Sequence, residues 1–298
     1  MFELYQLRYF LAIVETGNFT KAAERACVTQ PTLSVGIKKL ESLLGTALFH
    51  RSSRRVFLTE AGVRFVDRAK SILFECNQAA LEMKHVENPE VIRLGVLMTL
   101  PNILIARLVA DFKREDAGAV IELFEGTEQE IVNRLDEGSI DLAISLIRGD
   151  EEYKTVRLFD EGYMLVLARD HPLAKREMLA ARDLANENMV VRTRCEVLSE
   201  TSRYFTDHNV RPRLVYRTEQ DERALQMVAA GLGATVAPAS YIRPDIALIK
   251  LRGFDHRRRV ALLKSKHNSS EDGSALIARF EAFICSQDWE KAKVMTAA

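Results

Sequence analysis

The spacing of apolar residues changes near Asn88-Pro89, and this change most constrains how the chain can fold. Before it, apolar side chains recur at the three- and four-residue spacing of amphipathic helices. From Val91 onward, short apolar segments of strand length alternate with segments at helical spacing. The sequence therefore predicts a helical N-terminal region followed by an α/β region with a mostly parallel sheet.

The N-terminal region contains three short predicted helices and a basic hairpin. The helices are predicted over 4–15, 19–26 and 30–44. Asn18 and Thr29 precede the second and third helices as N-caps, and Gly45 ends the third. Residues 46–58 then predict two short strands around the basic tip 51–55.

A long helix is predicted over 59–88. Its apolar seam consists of Val66, Ala69, Leu73, Cys76, Ala80 and Met83. The spacing alternates between three and four residues, which is typical of a coiled coil. A helix of this length extends about 40 Å, more than a domain of sixty residues covers. We therefore expect the seam to meet a second copy of the chain.

The charge of the chain is balanced overall but uneven along its length. The full chain has 42 basic and 42 acidic residues. Between Lys21 and Lys70, however, ten residues are basic and four are acidic. A local excess of this kind suits the binding of nucleic-acid phosphates. On charge alone, a solvated basic face is an equal alternative.

Two features predict a cytoplasmic protein that does not enter a membrane. No apolar run reaches the roughly 18 residues of a membrane-spanning helix, and no secretory signal is visible. The cysteines Cys27, Cys76, Cys195 and Cys285 lie at neither metal-binding nor CxxC spacing. Cysteines used in this way indicate a reducing compartment, not a disulfide scaffold.

The third helix has the two faces that a helix-turn-helix requires. Its apolar face consists of Leu33, Ile37, Leu40 and Leu44. The opposite edge consists of Gln30, Pro31, Ser34, Val35 and Lys38. Glutamine can hydrogen-bond adenine, lysine can reach guanine or phosphate, and valine can touch a thymine methyl group. We predict that this edge enters the major groove of double-stranded DNA. A helical bundle that contacts only protein is the alternative.

The segment from Leu7 to Gly62 resembles the N-terminal domain of LysR-type transcriptional regulators. The resemblance is carried by the pairs Ala22-Ala23, Gln30-Pro31, Leu40-Glu41, Leu44-Gly45, Leu48-Phe49, Leu58-Thr59 and Ala61-Gly62, together with Phe10, Ser34 and Arg51. Beyond this segment, the motifs RLGV, LDEGSIDLAI and MVAAGLGATVAP also resemble the family.

This resemblance implies a domain organisation. An all-α winged helix-turn-helix domain (1–58) and a linker helix for dimerisation (59–88) precede an α/β effector-binding domain (89–298). The effector domain is expected to consist of two Rossmann-like subdomains, as in type 2 periplasmic binding proteins. Subdomain I would comprise 91–160 and 267–298, and subdomain II would comprise 163–264. The hinges are expected near Glu161-Gly162 and Ser265-Lys266.

Three positions of the N-terminal domain depart from the family pattern. Asn18 stands where serine is usual, and asparagine can still cap a helix. Val35 and Gly36 stand where longer polar residues are usual, and glycine inside a helix costs about 1 kcal/mol relative to alanine. These departures affect the base preference and not the predicted role. The predicted DNA contacts are Asn18, Thr20, Thr29, Gln30, Pro31, Thr32, Ser34, Val35, Lys38, Arg51, Arg54 and Arg55.

The resemblance also places a small-molecule site in the cleft between the subdomains. The implied lining is Thr99, Leu100, Pro101, Gly126, Thr127, Ser145, Arg192, Thr193, Arg194, Cys195 and Glu196. Hydroxyl groups, N–H groups at helix starts and two arginines suit a carboxylate or another anion. The alternative is that Thr127 only caps its helix, as its capping box with Glu130 suggests, and that the arginines are solvated.

Cys195 lies close to the position of the reactive cysteine in peroxide-sensing members of the family. The neighbouring Arg192 and Arg194 could lower the pKa of its thiol. Those sensors use a resolving cysteine about nine residues later, and Tyr204 stands there in this chain. A redox-responsive regulator acting through Cys195 alone is therefore an alternative, besides a small residue that lines the cleft.

The sequence thus predicts a regulator and not an enzyme. The expected partners are double-stranded DNA, a small-molecule effector, further copies of the chain in a homodimer or homotetramer, and RNA polymerase if the protein is an activator. No catalytic residue, metal or other cofactor is predicted, since GxSxG, Walker-type and HExxH motifs are lacking. A bilobal small-molecule-binding protein without a role on DNA is a further alternative.

Two remaining features are given structural interpretations. The basic run His256-Arg257-Arg258-Arg259 is interpreted as an exposed strand end or turn. Trp289 is interpreted as a packing anchor near the C-terminus.

Overall fold

A computed structural model describes residues 1–51, 56–84, 91–147, 153–265 and 275–294, apart from the side chains of residues 51, 81, 82, 84, 293 and 294. The chain divides into two compact units. The N-terminal unit comprises Met1–Asn88 and Asp136–Ser139, and the C-terminal unit comprises Pro89–Leu135 and Ile140–Ala298. None of the described helices is both long enough and apolar enough to cross a membrane.

The N-terminal unit is built from helices and one small hairpin. Its elements are α1 (Leu4–Thr16), α2 (Phe19–Arg25), α3 (Gln30–Leu44), β1 (Phe49–Arg51), β2 (Val56–Leu58) and α4 (Glu60–Lys84). The predicted caps are confirmed. The Asn18 side chain accepts hydrogen bonds from the N–H groups of Thr20 and Lys21, and Thr29 accepts one from Thr32. Gly45 ends α3 in the left-handed conformation, which glycine adopts without steric cost.

One core holds the helices of this unit together. It includes Leu7, Phe10 and Ile13 from α1, Leu33, Ile37 and Leu40 from α3, and Ala69 and Leu73 from α4. Each of these side chains is at most 2% exposed. Complete burial of so many side chains fixes α3 with its opposite edge outward.

The burial of α4 corrects part of the expectation for its seam. Ala69 and Leu73 pack in the core of their own unit, so they are not available to a second chain. Cys76, Ala80 and Met83 lie farther along the same seam and are exposed. The seam therefore serves two purposes. Its first half completes the apolar core of the N-terminal unit, whereas its second half is exposed. Residues 85–88 of the predicted helix lie outside the described residues.

The C-terminal unit alternates strands and helices. Its strands are β3 (Val91–Leu97), β4 (Val120–Gly126), β5 (Leu142–Leu146), β6 (Tyr153–Ala168), β7 (Met178–Leu179), β8 (Asn188–Arg192), β9 (Arg213–Thr218), β10 (Thr235–Pro238), β11 (Ile246–Leu251) and β12 (Arg257–Ser265). Its helices are α5 (Asn102–Glu115), α6 (Glu128–Asp136), α7 (Leu198–Asp207), α8 (Asp221–Ala229), α9 (Ala275–Ser286) and α10 (Trp289–Val294). The predicted α/β class is confirmed.

The long strand β6 runs through both subdomains. The sheet order is β4-β3-β5-β12-β6-β11-β7, and β10 also pairs with β6. β3 is parallel to both β4 and β5, whereas β12 is antiparallel to β5 and β6. The sheet is thus mixed and not mostly parallel as predicted, because β12 runs against β5 and β6, and β6 runs against β10 and β11. β8 and β9 form a separate parallel pair.

The second hinge, where the chain crosses back to subdomain I, lies earlier than Ser265-Lys266, the position that the family resemblance implied. β12 already pairs with β5, and its Val260 and Leu262 belong to the apolar core that contains Ile92 and Leu94 of β3. Residues 257–264 therefore belong with subdomain I, and the chain crosses back between β11 and β12. Lys266 lies outside the described residues.

Three elements of the C-terminal unit have little periodic signal in the sequence. β7, β11 and α10 are short or lack clear alternation, so periodicity gave little signal for them. Trp289, at the start of α10, is 5% exposed, and its ring stacks on Phe159 with the centroids 5.9 Å apart. The interpretation of Trp289 as a packing anchor is confirmed.

Candidate functional site

The outer edge of α3 presents the side chains that the sequence predicted for DNA. Gln30, Pro31, Val35 and Lys38 are exposed, and Ser34 is half-buried. The isopropyl group of Val35 is 66% exposed, which is unusual for valine. An apolar residue held outward between polar neighbours is suited to contact with base edges in a groove.

The remaining predicted DNA contacts surround the N-terminal ends of α2 and α3. Asn18, Thr20, Thr29 and Thr32 are all exposed there. The Thr29 and Thr32 hydroxyl oxygens lie 2.8 Å apart, so the helix start carries a pair of hydroxyl groups. Phosphate groups bind at such helix starts. Arg51 is described only in its backbone, at the end of β1, and Arg54 and Arg55 lie outside the described residues.

The departure at Gly36 has a structural cause. A Cβ atom at this position would lie 2.8 Å from Cδ2 of the Tyr9 ring. Gln6, which is fully buried, donates from Nε2 to the Gly36 carbonyl oxygen at 3.3 Å. α1 and α3 therefore approach each other where Gly36 has no side chain, and the cost of glycine in a helix is offset by this packing.

In the C-terminal unit, a cluster of buried polar groups lies in the cleft between the subdomains. Thr99 follows β3 in subdomain I, whereas Glu196 precedes α7 in subdomain II. The Thr99 hydroxyl group donates to Oε1 of Glu196. Arg258 of β12 donates from Nη1 to the same Glu196 oxygen at 2.7 Å and to the Thr99 hydroxyl oxygen at 2.9 Å.

Glu161 completes this cluster from β6. Its Oε1 accepts from Nε of Arg258 at 2.8 Å, and the Arg258 side chain is only 2% exposed. Glu161 also accepts from the Ser240 backbone N–H at 2.7 Å and from the Ser240 hydroxyl group at 3.1 Å. A buried arginine is thus paired with one fully bonded carboxylate and contacts a second.

The pKa shifts of Glu196 and Tyr163 follow from burial and from the groups that these side chains contact. Burial alone would raise the pKa of the Glu196 carboxyl, but the Arg258 guanidinium and the Thr99 hydroxyl group hold it below its ordinary value. Burial and the nearby Glu196 carboxylate raise the pKa of the Tyr163 hydroxyl group, so it stays protonated. Tyr163 then donates to Oε2 of Glu196 at 3.4 Å.

Glu196 also lies in the walls of two cavities. One cavity of about 480 Å³ is lined by Tyr163, Glu196 and Arg258 together with Leu146 and Ile147. Another of about 520 Å³ is lined by Glu196 together with Leu97, Met98, Thr127 and Arg194. Each volume is in the range of small-molecule sites.

Arg192 lies elsewhere than the sequence prediction implied. Its side chain is 1% exposed and pairs with the buried carboxylate of Asp221 within subdomain II. It also donates from Nη1 to the Val236 carbonyl oxygen at 2.9 Å. Arg192 is therefore engaged inside its own subdomain, and the buried arginine at the cleft is Arg258. The Arg194 side chain is 43% exposed, and its Nε lies 3.5 Å from Oε1 of Glu219.

The Cys195 thiol lies in an environment unlike the one the sequence suggested. Burial raises the pKa of the thiol above its ordinary value, and the Arg192 guanidinium, 3.5 Å from Sγ, offsets only part of this. Cys195 lines a separate cavity of about 740 Å³ next to α7, β8 and β9. A thiol with a raised pKa is a poor nucleophile.

The other predicted effector residues divide between the cavity walls and the protein interior. Thr127 caps α6 through the predicted box with Glu130, whose Oε2 accepts from the Thr127 N–H at 2.8 Å. Leu100, Pro101 and Gly126 are buried next to the ends of β3 and β4. Ser145 is fully buried on β5, and Thr193 bonds to the Thr218 carbonyl oxygen at 3.1 Å.

Sequence reasoning missed Arg258, Glu161 and Tyr163. The run 256–259 was interpreted as exposed, which holds for His256, Arg257 and Arg259 but not for Arg258. Alternation along β12 places Arg258 and Val260 on buried positions, so a strand period of two was the signal available.

Two known protein families together match nearly the whole chain. Residues 4–63 match the bacterial regulatory helix-turn-helix protein, lysR family. Residues 86–284 match the LysR substrate binding domain. The two matches together include both sites described above.

Individual proteins resemble the chain over most of its length. BenM, an HTH-type transcriptional regulator of Acinetobacter baylyi, is 32% identical over 245 residues, covering 80% of this chain and 81% of BenM. The hydrogen peroxide-inducible genes activator of Pectobacterium carotovorum is 30% identical over 290 residues, covering 92% of each chain. The structure of a Corynebacterium glutamicum OxyR C206 mutant is similar with a TM-score of 0.53 and 25% identity, covering 99% of this chain and 96% of that one.

Proposed function

The chain belongs to the LysR family of transcription regulators, and on this premise we propose which of its residues bind DNA and which bind the effector. As a member of this family it is a DNA-binding regulator with a small-molecule effector domain, and it forms oligomers. We assign base contact to the exposed edge of α3 and effector binding to the cleft that contains Thr99, Glu196 and Arg258.

The observation that carries the DNA assignment is the outward edge of α3. On the opposite face of α3, Leu33, Ile37 and Leu40 are fully buried, so the helix cannot rotate to offer another edge. Gln30, Ser34 and Lys38 make no side-chain hydrogen bond to another described residue, which leaves their polar groups available to DNA. Gln30 and Val35 are assigned to base edges, and Lys38 to phosphate or guanine.

We predict different effects for two substitutions on this edge. Gln30→Ala should reduce the preference for the protein's own upstream promoter fragment over a scrambled fragment by about 1–3 kcal/mol per bound chain. Lys38→Ala should weaken binding to both fragments alike and lower the slope of affinity against salt by about 1 per bound chain. Fluorescence anisotropy at several salt concentrations measures both effects.

The matched control is Lys175→Ala, which removes one exposed lysine from the C-terminal unit. We expect this variant to keep the affinity and the salt dependence of the unchanged protein. The DNA assignment fails if the unchanged protein has no salt-sensitive affinity for DNA. It also fails if Lys175→Ala and Lys38→Ala have equal effects.

For the effector site, we propose an anionic ligand. Thr99 and Arg258 place a hydroxyl donor and a guanidinium donor at one point of the cleft, and such donors suit a carboxylate. Thr127 and Arg194 line the neighbouring cavity. The identity of the effector follows from screening the full chain against metabolites by thermal shift, since a ligand at 100 times its Kd adds about 2.7 kcal/mol.

For assembly, we propose that the second half of α4 contacts another copy of the chain. Cys76, Ala80 and Met83 are exposed at seam spacing, and Met83 is 71% exposed. A dimer or a tetramer would place paired α3 helices on the two halves of a dyad operator. Contact with RNA polymerase is proposed for the case in which the protein activates transcription.

The redox alternative leads to a prediction about Cys195. Because burial raises the pKa of its thiol, we expect the thiol to react slowly with peroxide. Cys195→Ser and the unchanged protein should then bind promoter DNA equally before and after treatment with hydrogen peroxide. A peroxide-dependent change in DNA affinity that is lost in Cys195→Ser would contradict this and support the redox alternative.

The family is one of regulators, and we propose that this chain has no catalytic activity of its own. The buried charged groups at its cleft support this, because Arg258, Glu161 and Glu196 are bonded to one another. We further propose that the protein acts in the cytoplasm, where a bacterial regulator meets its DNA.

A further inference from the structure

The charges of the cleft cluster do not balance. Among the residues that the structure describes, Arg258 is the one guanidinium that directly contacts the two carboxylates of Glu161 and Glu196. Glu161 alone neutralises Arg258, and its oxygens also accept from the backbone and side chain of Ser240. Glu196 is therefore a surplus carboxylate in a largely buried place, where an anion is stable only if donors are arranged around it.

The donors around Glu196 come from elements far apart in the sequence. Thr99 and Arg258 donate to its Oε1, whereas Tyr163 donates a longer hydrogen bond to its Oε2, at 3.4 Å. Thr99 belongs to subdomain I and Glu196 to subdomain II. The Glu196 carboxylate of subdomain II thus forms a hydrogen-bonded contact with subdomain I.

Glu196 belongs to the walls of both cleft cavities. Glu196 lines both the cavity of about 480 Å³ and that of about 520 Å³. Movement of its side chain away from Thr99 would leave the Thr99 hydroxyl group and Nη1 of Arg258 without this acceptor. Those are the donors that the proposed function assigns to the effector.

We propose that the Glu196 carboxylate is a tethered occupant of the effector's anion site, and that a carboxylate-bearing effector binds by displacing it from Thr99 and Arg258. This inference rests on the proposed function of the cleft. One carboxylate replaces another, so the charge of the cluster stays the same. The exchange also breaks one of the contacts between the subdomains, which couples effector binding to their relative movement.

A cationic effector fits these groups less well. A cation bound to Oε1 of Glu196 would lie beside the Arg258 guanidinium, whose Nη1 is 2.7 Å from that oxygen. Two like charges at such a distance repel each other strongly in a buried site. An anion that takes the place of Glu196 meets the same donors as Glu196 does.

Chemical rescue with propionate tests the proposal, because propionate has the carboxylate and the two side-chain carbons of glutamate. In the full-length Glu196→Ala variant, Arg258 keeps Glu161 as its partner, so we expect the variant to fold. Propionate should bind this variant saturably in isothermal titration calorimetry and raise its melting temperature. The unchanged protein should bind propionate at least about tenfold more weakly, because its tethered carboxylate competes at high effective concentration.

Propionamide is a neutral probe of matching size and ethylammonium is a smaller cationic probe, and neither should bind Glu196→Ala. The control variant Glu177→Ala removes an exposed carboxylate from the same subdomain, and it should bind propionate as weakly as the unchanged protein. If Glu196→Ala fails to fold, Glu196→Gln replaces it. A neutral amide competes less well than a carboxylate, so this variant should also bind propionate more tightly than the unchanged protein.

The proposal is overturned if the Glu196 variant that folds binds propionate no more tightly than the unchanged protein. It is also overturned if the unchanged protein binds ethylammonium and the variant does not. Anisotropy with the promoter fragment is measured on the same samples. If the unchanged protein shows no salt-sensitive DNA binding, the proposed function is contradicted. If DNA binding is present but propionate does not bind the Glu196 variant more tightly, only the proposal that Glu196 occupies the effector site is contradicted.

Discussion

Asp221→Ala is expected to destabilise the C-terminal unit by about 3–5 kcal/mol, because it leaves a buried arginine without its counter-charge. The Arg192 side chain is 1% exposed, and Asp221 is the carboxylate paired with it. Asp221 also accepts from the Tyr241 hydroxyl group at 3.2 Å. Fluorescence of Trp289, the single tryptophan, follows urea unfolding of this unit.

Two comparisons separate this effect from a general loss of charge. Asp245→Ala breaks a pair with Arg243 in which the carboxylate is 45% exposed, and it should cost at most about 1 kcal/mol. Arg192→Met combined with Asp221→Ala removes both buried charges and should recover part of the lost stability. Equal effects of Asp221→Ala and Asp245→Ala would show that the buried pair contributes no more than a surface pair.

Gly62→Ala is expected to destabilise the N-terminal unit by roughly 3 kcal/mol, the upper end for overpacked sites, and to weaken DNA binding accordingly. A Cβ atom on Gly62 would lie 2.2 Å from the Leu48 carbonyl oxygen. That oxygen accepts from the Thr59 N–H at 2.9 Å, so it is fixed where α4 begins. A backbone atom cannot move away by changing a rotamer, and the clash must displace the helix start.

Circular dichroism of the thermal transition and DNA anisotropy measure this effect. The urea transition of Trp289 should stay unchanged, because that residue belongs to the other unit. Gly118→Ala is the matched control, since the nearest atom to its added Cβ would be 3.7 Å away. A Gly62→Ala variant with unaltered melting and unaltered DNA affinity would contradict the steric role of this glycine.

Gly36 and Gly62 show what a single sequence reveals about such positions. Gly36 was recognised as an unusual residue inside a helix, but its partner Tyr9 lies 27 positions earlier on α1. Gly62 was noticed only as part of a family motif. The close approach of Leu48 to Gly62 depends on how the hairpin meets α4, which no local pattern encodes.

The sequence alone was enough to predict which edge of α3 faces outward, because the interactions that define this helix are local. Caps act over two or three residues, helical periodicity separates the buried from the exposed face, and glycine ends the helix. Only the tertiary structure decided which charged residues are buried. Arg258 depends on Glu161 and Glu196, which are 97 and 62 positions away, and Arg192 depends on Asp221. A charge enters the interior only where such distant partners converge. The family resemblance could therefore place Glu196 at the cleft, but no local pattern showed that Arg258 is buried there beside it.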